Sequence, residues 1–382
     1  MQYDFDAITR SIELKKLESR SNLLMKRWCE FLPIENPALI EKVTLGEHET
    51  PLLKSEKLGS ELGLRNLYIK NDTYFPTASL KDRSMPLIVL KALEFGYDTV
   101  AIVSSGNAAA SLAAYAAKAG LRAVTFVSGN PPIEQLAKIK AYGPTIVWIK
   151  GPYDVVENLF TKAREKFGWF DCDGLVNPFR LEGKKIYAHE ITLQLGWKVP
   201  DVFMMVVGFG NGIVAAWKGF KELYEMGIVK SLPRMIAVQP ENCAPIAKAF
   251  AGGKEEVEPV KCGETVAQNI ALGNPSIGGK RTLKAVRESN GLVLTVSDKE
   301  IIDAARELAQ KEGLFVEPAG VLGVAALKQL VKDGKVEKDE TIVPVITGHG
   351  MNNSRFAVAN YRIPEAIEPS LEEVEKAVTR NR

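Results

Sequence analysis

The strongest constraint on the fold is a repeated alternation of short apolar strands with amphipathic helices. Runs rich in β-branched residues recur along the 382-residue chain, separated by stretches with apolar residues at helical spacing. This alternation is typical of parallel strands joined by crossover helices, so we predict an α/β fold with open, twisted, mainly parallel sheets flanked by helices. The predicted strands are LYIK (67–70), TVAIVSS (99–105), AVTFVS (123–128), TIVWIKG (145–151), DVFMMVVG (201–208), RMIAVQP (234–240), LVLTVSD (292–298) and TIVPVITG (341–348). The predicted helices include AAASLAAYAAKAG, IEQLAKIKAYG, VENLFTKAREKFG, AAWKGFKELYEMG and KEIIDAARELAQKEG.

The chain length predicts two lobes, because 382 residues exceed what one small hydrophobic core usually fills. Three consecutive strand and helix units fall between about residues 99 and 175, and they can form a compact lobe. We therefore predict a smaller movable domain at 96–189. Residues 1–95 and 190–382 form the larger domain, with an N-terminal helical extension and a C-terminal tail. The active site is expected between the two.

Charge and hydropathy exclude two classes of partner. The net charge is +2 and the basic residues are interspersed with acidic ones, so no nucleic-acid partner is expected. No apolar run approaches the roughly 20 residues that span a bilayer, so no membrane role is expected. The N-terminal sequence MQYDFDAITR lacks a secretion signal, which predicts a cytoplasmic protein.

The cysteines and histidines give no metal-site pattern. The chain has no CxxC pair and only three histidines, so no metal ligand is predicted. In a cytoplasmic protein the cysteines are expected to be reduced, small buried thiols. They are Cys29, Cys172, Cys243 and Cys262.

A first chemical segment, IKNDTYFPTASLKDRSM, places Lys81 after a strand and a Pro-Thr-Ala-Ser turn, where a helix should begin. A lysine acts as a Schiff-base nucleophile only when its amine is neutral, and burial and a helix N-terminus both lower its pKa. The alternative is that Lys81 has no catalytic role and is a solvated lysine at a helix start.

A second segment, VSSGNAAASLAAYAAKAG, ends a strand at Ser104, Ser105, Gly106 and Asn107 and then begins a small-residue helix. Exposed amides at a helix start bind carboxylates or phosphates, and the Asn107 amide can bond a phenolate oxygen. The alternative is an ordinary Ser/Asn N-cap.

A third segment is the glycine-rich loop Gly208, Phe209, Gly210, Asn211 and Gly212, between an apolar strand and a helix. Glycines allow backbone N–H groups to close around a phosphate. The loop matches neither a Walker loop nor GxGxxG, and dinucleotide binding is its main rival interpretation.

A fourth segment, VITGHGMNN, puts Thr347 at the carboxyl end of a strand, the edge where open α/β sheets bind ligands. A neutral hydroxyl there suits a pyridine nitrogen. Glu317, in FVEPAG, either faces the same cleft or caps the following helix.

Taken in order, these segments resemble the fold type II family of pyridoxal-phosphate (PLP) enzymes, the tryptophan synthase β-subunit class, and within it the threonine synthases. PTASLKDR, SSGNAA, GFGNG and the Thr347 segment are similar to that family's lysine, substrate-carboxylate, cofactor-phosphate and ring-nitrogen motifs. The resemblance implies PLP as cofactor, with Lys81 as the catalytic lysine and Schiff-base partner. It also implies cofactor contacts from Asn107, residues 208–212 and Thr347.

Other stretches extend the resemblance over about residues 27–351. They are RWCEFLP, LGEHETPLL, LVNPFRLEGKK and FVEPAG. The resemblance implies that substrate binding involves Ser104, Ser105, Gly106, Asn107, Arg180 and Glu317.

Several positions depart from the threonine synthase pattern. Ala108 replaces a threonine, Gln135 replaces a lysine, and Lys185 is followed by Ile186 rather than threonine. Arg180 and either Lys184 or Lys185 remain as partners for a substrate phosphate. Losing charge-assisted bonds to a buried dianion is enough to change substrate preference.

The resemblance predicts a PLP-dependent lyase of amino-acid biosynthesis that turns O-phosphohomoserine and water into threonine and phosphate, acting as a homodimer. The altered positions leave a second hypothesis open, a replacement or elimination on another amino acid, as in cysteate synthase or serine/threonine dehydratase. A dinucleotide-dependent oxidoreductase or a non-catalytic binding protein is the hypothesis from another class.

Overall fold

Two mainly parallel sheets organise the chain in a computed structural model, which describes residues 3–151, 153–174 and 176–379. One sheet has six strands in the order β1-β2-β10-β7-β8-β9, and the other has four in the order β5-β4-β3-β6. Among the described strands, β1 runs antiparallel to β2 and the other paired strands are parallel. The strands are β1 Leu52–Lys54, β2 Asn66–Asn71, β3 Thr99–Val103, β4 Arg122–Ser128, β5 Thr145–Ile149, β6 Phe170–Asp171, β7 Val202–Val206, β8 Arg234–Pro240, β9 Leu292–Val296 and β10 Thr341–Ile346.

Each predicted strand is present, and the predicted α/β class is confirmed. The strands β3 and β7 are buried along their whole length, as expected for parallel strands covered by helices on both faces. The sequence analysis missed β1 and β6. These have three and two residues and lie at sheet edges, too short to show a periodic pattern.

The helices that cover the sheets include all of the predicted ones, with α7 and α15 ending at Gly120 and Gly313 in the left-handed conformation. The α-helices are α1 Phe5–Ser11, α2 Leu14–Ser19, α3 Leu24–Arg27, α4 Ile40–Val43, α5 Glu56–Leu62, α6 Met85–Glu94, α7 Asn107–Ala119, α8 Ile133–Ala141, α9 Tyr153–Phe167, α10 Phe179–Lys184, α11 Ile186–Gln194, α12 Asn211–Glu225, α13 Pro245–Ala251, α14 Ser276–Glu288, α15 Asp298–Glu312, α16 Leu322–Ala325, α17 Leu327–Lys332, α18 Ser354–Asn360 and α19 Leu371–Thr379. None of the described helices is long and apolar enough to cross a membrane.

A continuous core joins the two sheets. One cluster of buried apolar side chains contains Val100 and Ile102 of β3 together with Phe203 and Met205 of β7. A smaller cluster packs on the four-stranded sheet. That sheet is built from Thr99–Asp171, inside the predicted smaller domain; the domain limits 96–189 stay a prediction.

The expectation of four separate thiols is wrong for two cysteines. Cys243 and Cys262 form a disulfide, with Cα atoms 4.6 Å apart, whereas Cys29 and Cys172 are free. The residues that follow β8 fold back on themselves, because Gly263 N–H donates to the Asn242 carbonyl at 2.8 Å. A spacing of 19 residues gives no sign of this return in the sequence.

Candidate active site

A cavity of about 350 Å³ lies where the carboxyl ends of β3, β7 and β10 face one another. Ligands of open α/β sheets bind at this edge. Every predicted site residue lines the cavity, so the structure brings together motifs that span most of the chain, while their individual roles stay predictions. These residues are Lys81, Ser104, Ser105, Gly106, Asn107, Arg180, Gly208, Phe209, Gly210, Asn211, Gly212, Glu317 and Thr347.

Lys81 lies in a short 3-10 turn, Leu80–Arg83, which comes before α6. The Leu80 N–H donates to the Thr347 carbonyl at 2.8 Å, and Ser79 forms a bridge with Gly348. Burial lowers the pKa of Lys81 to about 8, with the nearby Arg180 as a second cause, so its amine is nearer to the neutral form that a nucleophile needs.

The turn before Lys81 is held from several sides. Ala78 has a φ of 60°, and its carbonyl accepts bonds from His349 N–H at 3.0 Å and from Asn352 Nδ2 at 2.8 Å. Asp82 accepts from the Thr77 N–H and hydroxyl, at 2.7 and 2.6 Å, and from the Ser111 hydroxyl. These bonds fix the direction in which Lys81 leaves the backbone.

A buried ionic network supports the other side of this turn. Arg83 donates to both oxygens of Asp72, at 2.6 and 2.8 Å, and pairs with Glu190, which also binds Lys70 at 2.9 Å. The Arg83 guanidinium lies 3.8 Å from the centre of the Tyr187 ring. This network was not predicted: Lys70, Asp72 and Arg83 lie in or beside the PTASLKDR segment, but Glu190 is more than 100 residues away and no local pattern links it to them.

Asn107 and Glu317 meet inside the cavity. Asn107 Nδ2 donates to Glu317 Oε1 at 3.0 Å, and burial raises the pKa of Glu317. The N-cap of α7 is Gly106, which makes no side-chain cap bond, and Glu317 makes none to the 3-10 turn that follows it. The capping alternatives for both segments are therefore wrong.

The glycine loop requires its glycines. Gly210 is the N-cap of α12 with a φ of 79°, and a Cβ there would overlap the Thr282 hydroxyl. A Cβ at Gly212 would lie 2.5 Å from Met205 Cε. The backbone amides in the first turn of α12 have no intrahelical acceptors, so this narrow loop fits a phosphate.

Two buried cations project from α10 into the cavity. Arg180 contacts Met85 Sδ through Nη1 at 3.2 Å, and its Nε has no hydrogen-bond partner among the described residues. Lys184 also lines the cavity, and burial, Arg180 and Lys81 lower its pKa well below the usual value. Lys185 instead pairs with Glu222 at 2.7 Å and Glu182 at 3.2 Å, which leaves Lys184 as the cavity lysine of the expected two.

Two of the three departures from the family pattern, Ala108 and Gln135, lie at or near the cavity, whereas Ile186 is buried in the apolar core. Ala108 lines the cavity, and a Cβ at Gly106 would lie 3.8 Å from Gln135 Oε1. Lys138, one turn further along α8, donates to the Thr77 carbonyl at 2.9 Å and to Asn352 Oδ1 at 2.6 Å. This clamp was missed, because no spacing indicates which lysine of α8 turns inward.

Further lining residues had no motif to reveal them. Gln268 and Asn269 reach the cavity from the 3-10 turn Gln268–Ile270, and Asp173 comes from the segment after β6. Of the LVNPFRLEGKK stretch, Leu175 lies outside the described residues.

The donor set fits pyridoxal phosphate. An amine of lowered pKa, a glycine loop without room for side chains at Gly210 and Gly212, an amide at a helix start and a hydroxyl at a strand end surround one space. The partnerless Arg180 Nε adds an unsatisfied donor for an anion.

Comparison with known families and sequences agrees with this fit. A family model described as "Pyridoxal-phosphate dependent enzyme" matches residues 43–348. Threonine synthase of Methanocaldococcus jannaschii is 38% identical over 96% of this chain and 89% of its own length. Threonine synthase of Methanosarcina acetivorans is 37% identical over 98% of this chain and 91% of its own length.

Solved structures share the fold. Maize serine racemase superposes with a TM-score of 0.72 at 19% identity, covering 91% of this chain and 96% of its own. The processed form of threonine deaminase isoform 2 from Solanum lycopersicum gives a TM-score of 0.69 at 20% identity, covering 93% of each chain. The shared architecture is that of the fold type II enzymes.

Proposed function

Because the chain belongs to the family of pyridoxal-phosphate-dependent enzymes, we propose that it catalyses a threonine synthase-like reaction, the conversion of O-phosphohomoserine and water into threonine and phosphate. Its cofactor is pyridoxal phosphate. The observation that supports O-phosphohomoserine as substrate is a cavity with donors for a third anion, besides the cofactor phosphate and the substrate α-carboxylate.

Three groups of donors face the cavity from different elements. The start of α12 suits the cofactor phosphate, and the start of α7 suits the α-carboxylate of an amino acid. Arg180 is a further buried cation whose Nε has no partner in the part of the chain that the structure describes. A phosphate on the substrate side chain would supply that partner, whereas serine or threonine carries no anion there.

We assign the cofactor contacts to the predicted residues. Lys81 would hold the cofactor covalently, residues 208–212 would bind its phosphate, Asn107 its ring oxygen and Thr347 its ring nitrogen. When bound, pyridoxal phosphate supplies an aldehyde that reacts with amines and a ring that delocalises electrons from a bond broken at Cα.

The chain's own residues then bind, orient and move protons. With its pKa near 8, Lys81 Nζ accepts the proton from the substrate Cα and returns it later. Ser104, Ser105 and Gly106 bind the α-carboxylate, and Glu317 orients the Asn107 amide. Lys138 holds α8 against the Lys81 turn, which closes the predicted smaller domain over the cavity and excludes water.

The decisive assay uses purified holoenzyme with O-phosphohomoserine. We expect equimolar phosphate and threonine from the wild type and from Lys284→Ala, an exposed control, and neither product from Lys81→Ala. Borohydride reduction followed by peptide mass spectrometry should place the cofactor on Lys81.

Other outcomes would reassign the reaction. Ammonia and an oxoacid from serine or threonine, without phosphate release from O-phosphohomoserine, would indicate a dehydratase. Sulfonate formation from O-phosphoserine and sulfite would indicate a cysteate synthase-like activity. A Lys81→Ala protein that still carries reducible cofactor would refute the assignment of Lys81.

Assembly and location complete the proposal. We propose a homodimer in the cytoplasm, since two-fold dimers are the commonest soluble oligomers. Light scattering after size-exclusion chromatography should give twice the chain mass of 41.9 kDa; a single-chain mass would contradict the dimer.

A further inference from the structure

Lys184 differs from the other fully buried lysines whose surroundings are described. Its side chain is almost completely buried, yet it makes no ion pair with any described carboxylate. The comparison lysines each pair with at least one carboxylate: Lys70 with Glu190, Lys91 with Glu35 and Glu94, and Lys185 with Glu182 and Glu222.

The two charged groups that shift the pKa of Lys184 are both cations, whereas the cavity carboxylates Asp173 and Glu317 act on Arg180 and Lys81. Arg180 and Lys81 both act against its protonated form, in addition to burial. Burying an uncompensated cation beside two others is unfavourable unless an anion restores the balance. The cavity at Lys184 therefore has the electrostatics of an anion site.

The position of Lys184 is fixed relative to Lys81. Arg180 and Lys184 are four residues apart on α10 and so lie on one face of that helix. Gly183 lets this helix pack directly on the Lys81 segment, since a Cβ there would lie 2.7 Å from Ser84 Cα. The two cations thus face the reacting amine as a rigid pair.

A phosphate dianion near this pair has two sources, the cofactor and the substrate. The amides at the start of α12 already offer the cofactor phosphate a site, in a glycine loop where a Cβ on Gly210 would overlap Thr282. The α10 pair is a separate set of donors, and so we favour the substrate as the source.

We propose that Lys184 is a specificity-determining residue: together with Arg180 it binds the anionic group on the side chain of the amino-acid substrate. This inference rests on the proposed function and names the residue by which the cavity selects a dianionic side chain over a neutral one. Nothing in the sequence separated Lys184 from Lys185.

The direct test measures binding of inorganic phosphate to holoenzyme by calorimetry, at constant ionic strength with chloride. The variants are Lys184→Gln and Lys184→Met, with the exposed Lys284→Gln as the matched charge control. Loss of one charge-assisted bond should weaken phosphate binding roughly tenfold or more in both Lys184 variants and leave the control unchanged. Melting temperature and cofactor absorbance, measured in parallel, report folding and cofactor retention.

A kinetic arm separates specificity from a structural role. In the Lys184 variants the KM for O-phosphohomoserine should rise by about the same factor as the phosphate dissociation constant, with a smaller fall in kcat. Phosphate affinity within twofold of wild type, or a wild type that binds no phosphate, would overturn the inference. So would variants that lose the cofactor, because Lys184 would then serve the cofactor.

Failure of the inference and failure of the proposed function give different results. Lys184-dependent phosphate binding without threonine formation would refute the function and retain the anion site. Threonine formation that Lys184→Gln leaves unchanged would retain the proposed function and refute the inference about Lys184.

Discussion

Ala78 holds a backbone conformation that an alanine rarely adopts. Its φ of 60° lies in the left-handed region, and the bonds from His349 and Asn352 to its carbonyl keep it there. A non-glycine residue in this region costs about 1 kcal/mol or more, and such strain persists where the surrounding structure determines the backbone. Here it sits three residues before Lys81.

Replacing Ala78 by glycine should relieve that strain. We expect Ala78→Gly to raise the free energy of unfolding by roughly 0.5–1 kcal/mol, because the gain in φ freedom exceeds the entropy that glycine adds to the unfolded chain. Urea titration of the apoprotein measures the change. A loss of stability would show that the Ala78 methyl group contributes more by packing than its backbone costs.

At the scale of single residues, the sequence indicated which side chains belong to the site better than it indicated the groups that hold them in place. The positions of Lys81, Asn107 and Thr347 followed from strand ends and helix starts, which can be read locally. The partners that hold them could not be read in this way. Asp82 and Glu317 act through bonds to Ser111 and Asn107, 29 and 210 residues away, and no short pattern records such distances.

Among the elements, α12 starts from an N-cap glycine, Gly210, whose backbone conformation and surroundings both disfavour a side chain. Gly210 and Gly227 both have positive φ, of 79° and 70°, at opposite ends of this helix. Only Gly210 lies in the cavity and faces Thr282, whereas nothing lies within 4 Å of a Cβ on Gly227.

This pair of glycines makes a matched test of the phosphate loop. Gly210→Ala and Gly227→Ala should each lose about 1 kcal/mol of stability from the left-handed backbone. Gly210→Ala should lose more, because its Cβ would overlap the Thr282 hydroxyl. Only Gly210→Ala should also weaken the binding of pyridoxal phosphate, by tenfold or more, measured by fluorescence titration of apoprotein. Equal cofactor affinity in the two variants would argue against the loop as the phosphate site.

The segment between β8 and α14 is tied by the Cys243–Cys262 disulfide and carries Gln268 and Asn269 to the cavity. Closing a loop of this size lowers the entropy of the unfolded chain, which is worth about 3 kcal/mol. This cross-link was not anticipated, because residues 244–261 contain no predicted strand that would turn the chain back.

Removing the disulfide should destabilise the protein by about 2–4 kcal/mol. Cys262→Ser is the suitable variant, because Cys243 is buried and Cys262 is partly exposed. Urea unfolding should show the loss in the variant, and a reductant should destabilise the wild type but leave the variant unchanged. A wild type indifferent to reductant would mean that the bond does not form in solution.

For the whole molecule, acid stability depends on a histidine buried between helices. His189 packs against Trp28 and Phe31, with ring centres 5.4 and 4.5 Å away, and burial lowers its pKa to about 3. In the unfolded chain its pKa is near 6.5. Between these two values the unfolded state binds a proton that the folded state excludes, so stability falls as the pH falls.

His189→Phe should remove this part of the acid sensitivity. The wild type should lose about 1.4 kcal/mol per pH unit below pH 6.5 through this group, and the variant should lose correspondingly less. The Lys185 carbonyl, which faces His189 Nδ1, keeps a bond from Ala188 N–H in the variant. Unfolding titrations from pH 7 to 4.5, with the exposed His48→Gln as control, measure the difference; parallel pH profiles would contradict the prediction.

The strands and helices were largely predictable from the sequence, whereas the order of the strands within the sheets was not. Short apolar runs revealed the parallel strands, because central strands such as β3 and β7 are buried along their whole length. The order of the strands depends on pairing between distant segments. Nothing in TIVPVITG indicates that β10 lies between β2 and β7.

That central place of β10 sets an order of events during protein synthesis. Translation proceeds from the N-terminus, so a ribosome-bound chain that has not yet extended past Ile346 has β2 and β7 without the strand that joins them. It also lacks the Thr347 carbonyl that anchors the Lys81 turn. The nascent polypeptide must therefore emerge at least through Thr347 before the binding site for pyridoxal phosphate is complete. Fragments from premature termination carry exposed sheet edges that favour aggregation.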